Sequence, residues 1–225
     1  MTVTTIQPDA AAGKDTVILE YSPTSNYGAD ANMRIGSVNV PFPYRGLIQF
    51  PTSDIPAGSV IDSVTLSMYK NHVYWNNPTT EMVIYIRRLL QPWTEGGATW
   101  RTKDGSTAWD SYGASTDGVD RMATPSASLS VDNVLGPEWL STSSAGLASD
   151  FQGWLDGDFS NCGWLLQHEG EHDPDYYSAN RFSTSDAIAA QRPKLTVTHH
   201  TPEAGGIPPH LLQTVILSRG VIQHG

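Results

Sequence analysis

The chain has 225 residues, 39% hydrophobic, 16% charged and 9% aromatic, and its 20 Gly and 15 Pro point to many turns. That apolar share can fill a core, which argues against wholesale disorder, and the lone cysteine, Cys162, excludes an intrachain disulfide and a cysteine-based zinc site. The net charge of −10, with the Lys and Arg residues scattered, argues against nucleic acid, whose phosphates need clustered cations.

Met1 leads into Thr, Val, Gln, Pro and Asp, with neither the basic patch nor the apolar run of a signal peptide. No stretch approaches the roughly 20 apolar residues of a membrane helix. The expectation is a chain that leaves its cell without a classical signal, as virus particles do by lysis, or a mature chain given a new Met. Residues 15–20 (DTVILE) and 45–50 (RGLIQF) are β-rich runs bounded by turn formers. From residue 60 to 70 the alternation is cleaner: Val64, Leu66 and Met68 face one way, Thr65, Ser67 and Tyr69 the other. Residues 82–89 (MVIYIRRL) start apolar on both parities, as a central strand does. The stretch 102–137, rich in Ser, Gly, Asp and Thr, reads as a long excursion with one strand near 128–131. Leu147, Phe151, Trp154 and Leu155 then fall at helical spacing after a Ser/Thr cluster that can cap, with Gly157 placed to end the helix. Residues 163–167 (GWLLQ) and 194–199 (KLTVTH) complete the strands.

Many short strands with one short helix predict an all-β fold, a jelly-roll β-sandwich spanning residues 1–200. The remainder, 201–225, is a linker (TPEAGGIPP) and an extended C-terminal arm carrying Leu211, Leu212, Val215, Ile216, Leu217, Val221 and Ile222. Alone, that apolar strip cannot bury itself. The expectation is an assembly arm that docks on a neighbouring subunit or adds a strand to its sheet, the alternative being packing against its own domain.

The ordered succession of Asp15-Thr-Val-Ile, Ser22-Pro-Thr-Ser-Asn-Tyr-Gly28 and Met33-Arg-Ile-Gly36 resembles the opening of DNRLRE-type domains. Arg45-Gly-Leu-Ile-Gln-Phe50, Ile55-Pro-Ala-Gly58 and Val60-Ile-Asp-Ser-Val-Thr-Leu-Ser-Met-Tyr69 continue the match, followed by Trp93-Thr-Glu-Gly96 and Thr99-Trp100. Phe151-Gln-Gly-Trp154, Gly163-Trp-Leu-Leu166, Tyr177-Ser-Ala-Asn-Arg-Phe-Ser183 and Arg192-Pro-Lys-Leu-Thr-Val197 close it, so the likeness runs over residues 15–198. It implies a non-catalytic jelly roll similar to carbohydrate-binding module family 96, of a kind that accompanies polysaccharide lyases and also occurs in phage structural proteins. Within the motif, Trp93 and Trp100 bracket a polar turn and are expected to seal the core rather than touch sugar.

His168-Glu-Gly-Glu-His172 fits H-E-x-x-H, a zinc motif that works when a helix sets both histidines on one face. Here it follows a strand, contains Gly170 and runs into Asp173-Pro174, which oppose a helix; His199 and His200 are the nearby histidines. The same loop holds Glu169, Glu171, Asp173 and Asp175, oxygen ligands of the kind calcium accepts. The competing reading is a solvated acidic loop. Asp15 and Asp30 are a second calcium option, and no other cofactor is expected. Neither a nucleophile elbow, a P-loop nor a dinucleotide fingerprint occurs, so no enzymatic activity is expected.

Sugars need exposed aromatic faces with amides or charges to grip hydroxyls. The loop aromatics are Tyr44 in PFPYRG, Tyr74 and Trp75 in HVYWNN, Trp109 and Tyr112 in AWDSYG, and Tyr176 in DPDYY. Tyr74, Trp75, Asn76 and Asn77 form the best group, their alternative being a hydrophobic latch or a subunit contact. The sequence therefore points to a non-enzymatic, oligomeric virion component, on a phage capsid or tail. Its partners would be other virion subunits, through the arm, and host or environmental polysaccharide, with no membrane insertion. The alternative is an extracellular glycan-binding module of a polysaccharide-degrading system.

Overall fold

β-Branched and aromatic runs pair edge to edge in the computed structural model, which describes residues 1–38, 42–75, 81–132, 136–173 and 178–202. The strands are β1 (Thr2–Ile6), β2 (Lys14–Leu19), β3 (Asn32–Val38), β4 (Phe42–Gln49), β5 (Val60–Trp75), β6 (Met82–Arg88), β7 (Ala127–Val131), β8 (Glu138–Ser143), β9 (Trp164–His168), β10 (Ala179–Ser183) and β11 (Lys194–His200). One helix, α1 (Ala145–Asp156), joins β8 to β9. The strands run in the order β1-β11-β5-β10-β3-β4-β9-β6-β7, with β2 added to β4 and β8 to β5. Each pairing is antiparallel. The sheet curls until its ends meet, where the Thr142 hydroxyl on β8 donates to the Ser128 carbonyl on β7 at 2.7 Å. The result is the expected all-β sandwich with one short helix.

Alternation sets what lies between the layers. Val64, Leu66 and Met68 of β5 are fully buried with Ile84 and Ile86 of β6, Leu166 of β9 and Leu195 and Val197 of β11. The helix closes this core with Leu147, Phe151 and Trp154, the last ring 4.6 Å from that of Trp164. Its ends are those the sequence predicts. The Ser144 hydroxyl caps the Leu147 N–H at 3.0 Å, and Gly157 takes the left-handed conformation, φ 77°, that ends the helix.

A second, smaller core lies outside the sandwich. Ile18 of β2, Leu47 of β4 and Leu165 of β9 turn outward and are covered by Leu89, Trp93, Ala98, Trp100, Trp109 and Ala114. The motif tryptophans seal this layer as expected: Trp93 and Trp100 are buried, and the Trp93 indole donates to the Cys162 carbonyl at 2.9 Å. The 102–137 excursion contains the expected strand as β7, and otherwise only isolated bridges among its described residues. It is nevertheless tightly held. The buried Asp120 carboxylate accepts from the backbone N–H groups of Asp110, Ser111 and Thr116 at 3.0–3.1 Å.

Among the described residues no helix is long and apolar enough to cross a membrane. Of the predicted linker and arm, Thr201 and Pro202 are described and exposed. Leu211, Leu212, Val215, Ile216, Leu217, Val221 and Ile222 lie outside the described residues.

Candidate functional site

A groove of about 320 Å³ opens where β2, β3 and β10 come together. Its floor is Val17 and Leu19, and its walls include Tyr21, Tyr27, Asp30, Asn32, Arg34 and Arg181. Local chemistry explains how these residues are presented. β2 ends at Leu19, so Tyr21 projects from the following turn, with 49% of its surface exposed and its ring edge-on to Tyr44 at 5.7 Å. The turn that carries Tyr27 is pinned by Asn26, whose amide donates to the carbonyl of Ala98 at 2.8 Å. Asp30 is tied at its carbonyl by the Thr184 hydroxyl, 2.7 Å away.

The cationic side of the groove is a consequence of register. Arg181 of β10 pairs directly with Arg34 of β3, and alternation turns both outward while Met33, Ile35, Asn180 and Phe182 are buried. Both guanidiniums line the groove. Arg181 is also aimed. Its Nε donates to Oδ1 of Asn71 at 2.7 Å, while the Asn71 amide donates to Asn32 Oδ1 and to the Ser183 hydroxyl at 2.9 Å. Aromatic faces, an amide and fixed guanidinium forks are the elements that grip a sugar ring and its anionic substituent.

The sequence-predicted aromatics are placed differently. Tyr44 is not a loop residue; it lies within β4, 4% exposed, its ring in the main core. Trp109 is likewise corrected. It is 2% exposed in the second core, and its indole donates to the Thr99 carbonyl at 3.0 Å, leaving no ring face for a sugar. Tyr112 is exposed as expected, with the Arg101 guanidinium 5.6 Å from its ring centre. Tyr74 and Trp75 belong to the end of β5 rather than to a connecting loop, and their side chains, with Asn76, Asn77 and Tyr176, lie outside the described residues. Sequence reasoning missed Tyr21 and Trp139. Trp139 is 37% exposed on β8, edge-on to Tyr69, with Lys194 Nζ 4.3 Å over its ring.

The acidic loop also separates. Glu171 is no calcium ligand: it is 1% exposed, and its carboxylate is held by Arg45 and by the Gln167 amide at 2.6 Å. Glu169 is exposed and accepts from the Tyr85 hydroxyl at 3.1 Å; Asp173 is exposed, and Asp175 lies outside the described residues. The H-E-x-x-H run is not helical. His168 ends β9 fully buried, while the His172 side chain is 67% exposed in the turn beyond. His199 is buried against the Thr4 hydroxyl at 3.0 Å, and His200 meets Asp62 at 2.9 Å. Asp30 lines the groove, whereas Asp15 gathers with Glu95 and Asp186 rather than with Asp30.

The sequence model of the disaggregatase related repeat domain matches residues 15–197. No curated protein matches the chain. Among solved structures, the chain is similar to the cowpea mosaic virus top component, naturally occurring empty particles, at 7% identity and a TM-score of 0.22, over 90% of this chain and 84% of that one.

Proposed function

The chain belongs to the disaggregatase related repeat domain family, and from that premise we propose that it is a non-catalytic adhesion domain whose β2–β3–β10 groove binds an acidic glycan. The observation that carries this reading is the opposed pair Arg34 and Arg181 beside the exposed ring of Tyr21. In a chain of net charge −10, two guanidiniums at one groove concentrate positive charge where a carboxylate could be held. The tyrosine face then stacks on the sugar's C–H surface. The ionisable groups among the groove residues are Asp30, the two tyrosines and the two arginines. Guanidiniums hold an anion by paired, charge-assisted hydrogen bonds. The resemblance to DNRLRE-type domains in the sequence motifs is in keeping with the same reading.

Calorimetry with uronate-containing and neutral oligosaccharides tests it. The uronate oligomer binds the wild type, and Tyr21→Ala and Arg181→Ala each weaken binding about tenfold, the equivalent of roughly 1.4 kcal/mol. Affinity unchanged in both variants removes the groove from consideration.

A second reading places the same domain on a virus particle, joined to other subunits by its arm. The run LLQTVILSRGVIQ, residues 211–223, favours it, because apolar β-formers of that length need a partner surface. Light scattering on the full chain then gives an oligomer that Ile216→Asp with Leu217→Asp reduces to monomer.

A further inference from the structure

We propose that Asp15, Glu95, Asp186 and the hydroxyl of Ser185 form a calcium site that fastens the start of β2 to the 94–97 turn and to the segment following β10. One carboxylate oxygen from each of the three acidic residues lies within 4.8 Å of the others, the span of two oxygens across one calcium ion at about 2.4 Å.

The backbone builds this cluster deliberately close. The Asp15 N–H donates to Glu95 Oε1 at 2.8 Å, and the Ser185 N–H donates to Asp15 Oδ2 at 2.8 Å. Gly13 lets the segments approach, since a Cβ there would sit 2.5 Å from the Ser185 Cβ. Two buried oxygens are left over. Asp15 is 3% exposed and its Oδ1 has no hydrogen-bond partner; Ser185 is 1% exposed and its Oγ has none either. The backbone bond from Ser185 to Asp15 is what brings the Ser185 residue to the cluster. Buried polar atoms of native proteins are almost always satisfied, and an ion satisfies both at once.

Charge makes the same case. Among the described residues no Lys, Arg or His nitrogen comes within 4.0 Å of these three carboxylates. Lys14, the neighbouring cation, lies over the Trp93 ring at 4.3 Å instead. An all-oxygen donor set drawn from a strand end and two turns suits calcium, whose shell is flexible, better than magnesium, which demands a near-ideal octahedron.

The test is thermal unfolding of the full chain after chelation, then with calcium chloride or magnesium chloride added. Calcium at about a hundredfold above its Kd raises Tm by about 5 °C or more, and magnesium raises it much less. Asp186→Asn and Ser185→Ala, read separately, melt within about 3 °C of the wild type in chelator yet lose most of the calcium response. Either variant alone suffices if the other misfolds. A wild-type Tm indifferent to calcium overturns the site, as does a full calcium response in both variants, and an equal response to magnesium overturns the choice of ion. The readout is independent of glycan binding, so failure here leaves the groove untouched.

Discussion

The guanidinium of Arg45 closes on the carboxylate of Glu171, 126 residues away in sequence, with both side chains almost wholly buried. Arg45 Nε lies 3.2 and 3.1 Å from the two carboxylate oxygens, and its NH1 turns to the Gly113 carbonyl and the Ser115 hydroxyl. One side chain on β4 thus holds both the excursion and the loop after β9. Removing one partner of such a pair leaves a buried charge uncompensated, at a cost of about 3–5 kcal/mol. Glu171→Gln is expected to destabilise by about 3 kcal/mol in urea denaturation. The double variant Arg45→Met with Glu171→Met costs less than the single change, because neither charge then remains.

His168 makes stability depend on pH. Burial holds its imidazole at about 4, against an ordinary value near 6.5. Between these values the unfolded chain binds a proton that the folded chain refuses, so stability falls as pH drops from about 6.5 towards 4. The loss across that window is about 3 kcal/mol. The buried carboxyls of Asp15 and Asp150, both raised, act in the opposite sense, which is why the comparison must be with a variant. Denaturant midpoints at pH 7 and pH 4.5 are expected to differ less for His168→Gln than for the wild type.

How much of this was legible follows from where each element gets its energy. β5 and β11 carry their own alternation of apolar side chains and β6 is a local apolar run, so local pattern alone locates all three. β10 (ANRFS) and β8 (EWLSTS) have almost no apolar pattern, and β8 alternates only between intermediate and exposed positions. These strands exist because β3 and β5 offer free edges, information that is nonlocal. Tyr44 reads as a loop residue because Pro41 and Pro43 just before it suggest a turn, whereas β4 begins before it at Phe42. The excursion shows the converse: it looks solvated by composition, yet Trp109 is buried in the second core against the outer face of β2, β4 and β9, and Asp120 is buried beneath its turns. Both sites were hidden for the same reason. Arg34 meets Arg181, and Asp15 meets Glu95 and Asp186, only through strand register and chain reversal across long separations.

The helix start offers a local check. Ser144 supplies the side-chain cap to the N-terminus of α1, accepting from the Leu147 N–H at 3.0 Å while its own hydroxyl donates to the Ser126 carbonyl at 2.6 Å. Ser144→Ala removes both bonds. The expected loss is about 1–2 kcal/mol, or a Tm lower by about 2–8 °C for a chain of this size. Ser144→Asp keeps the capping acceptor and recovers part of that loss, which differential scanning calorimetry on the two variants resolves.

Gly113 is where the excursion depends on a missing side chain. Its φ is +77°, and a Cβ there would sit 2.6 Å from the Trp100 ring and 2.9 Å from Arg45 NH1. Alanine would therefore meet two separate penalties. The left-handed backbone disfavours any L side chain by about 1 kcal/mol or more, and the overlap forces Trp100 or Arg45 from its place at a further 1–3 kcal/mol. Because Arg45 also holds Glu171, the second penalty extends to that ion pair. Gly113→Ala is expected to lose about 2–4 kcal/mol in denaturant unfolding. Gly118→Ala, with a similar φ of +78° but nothing within 4 Å of the added Cβ, meets the backbone penalty alone. The difference between the two variants isolates the packing at Trp100 and Arg45, and equal losses would show that the overlap is relieved without cost.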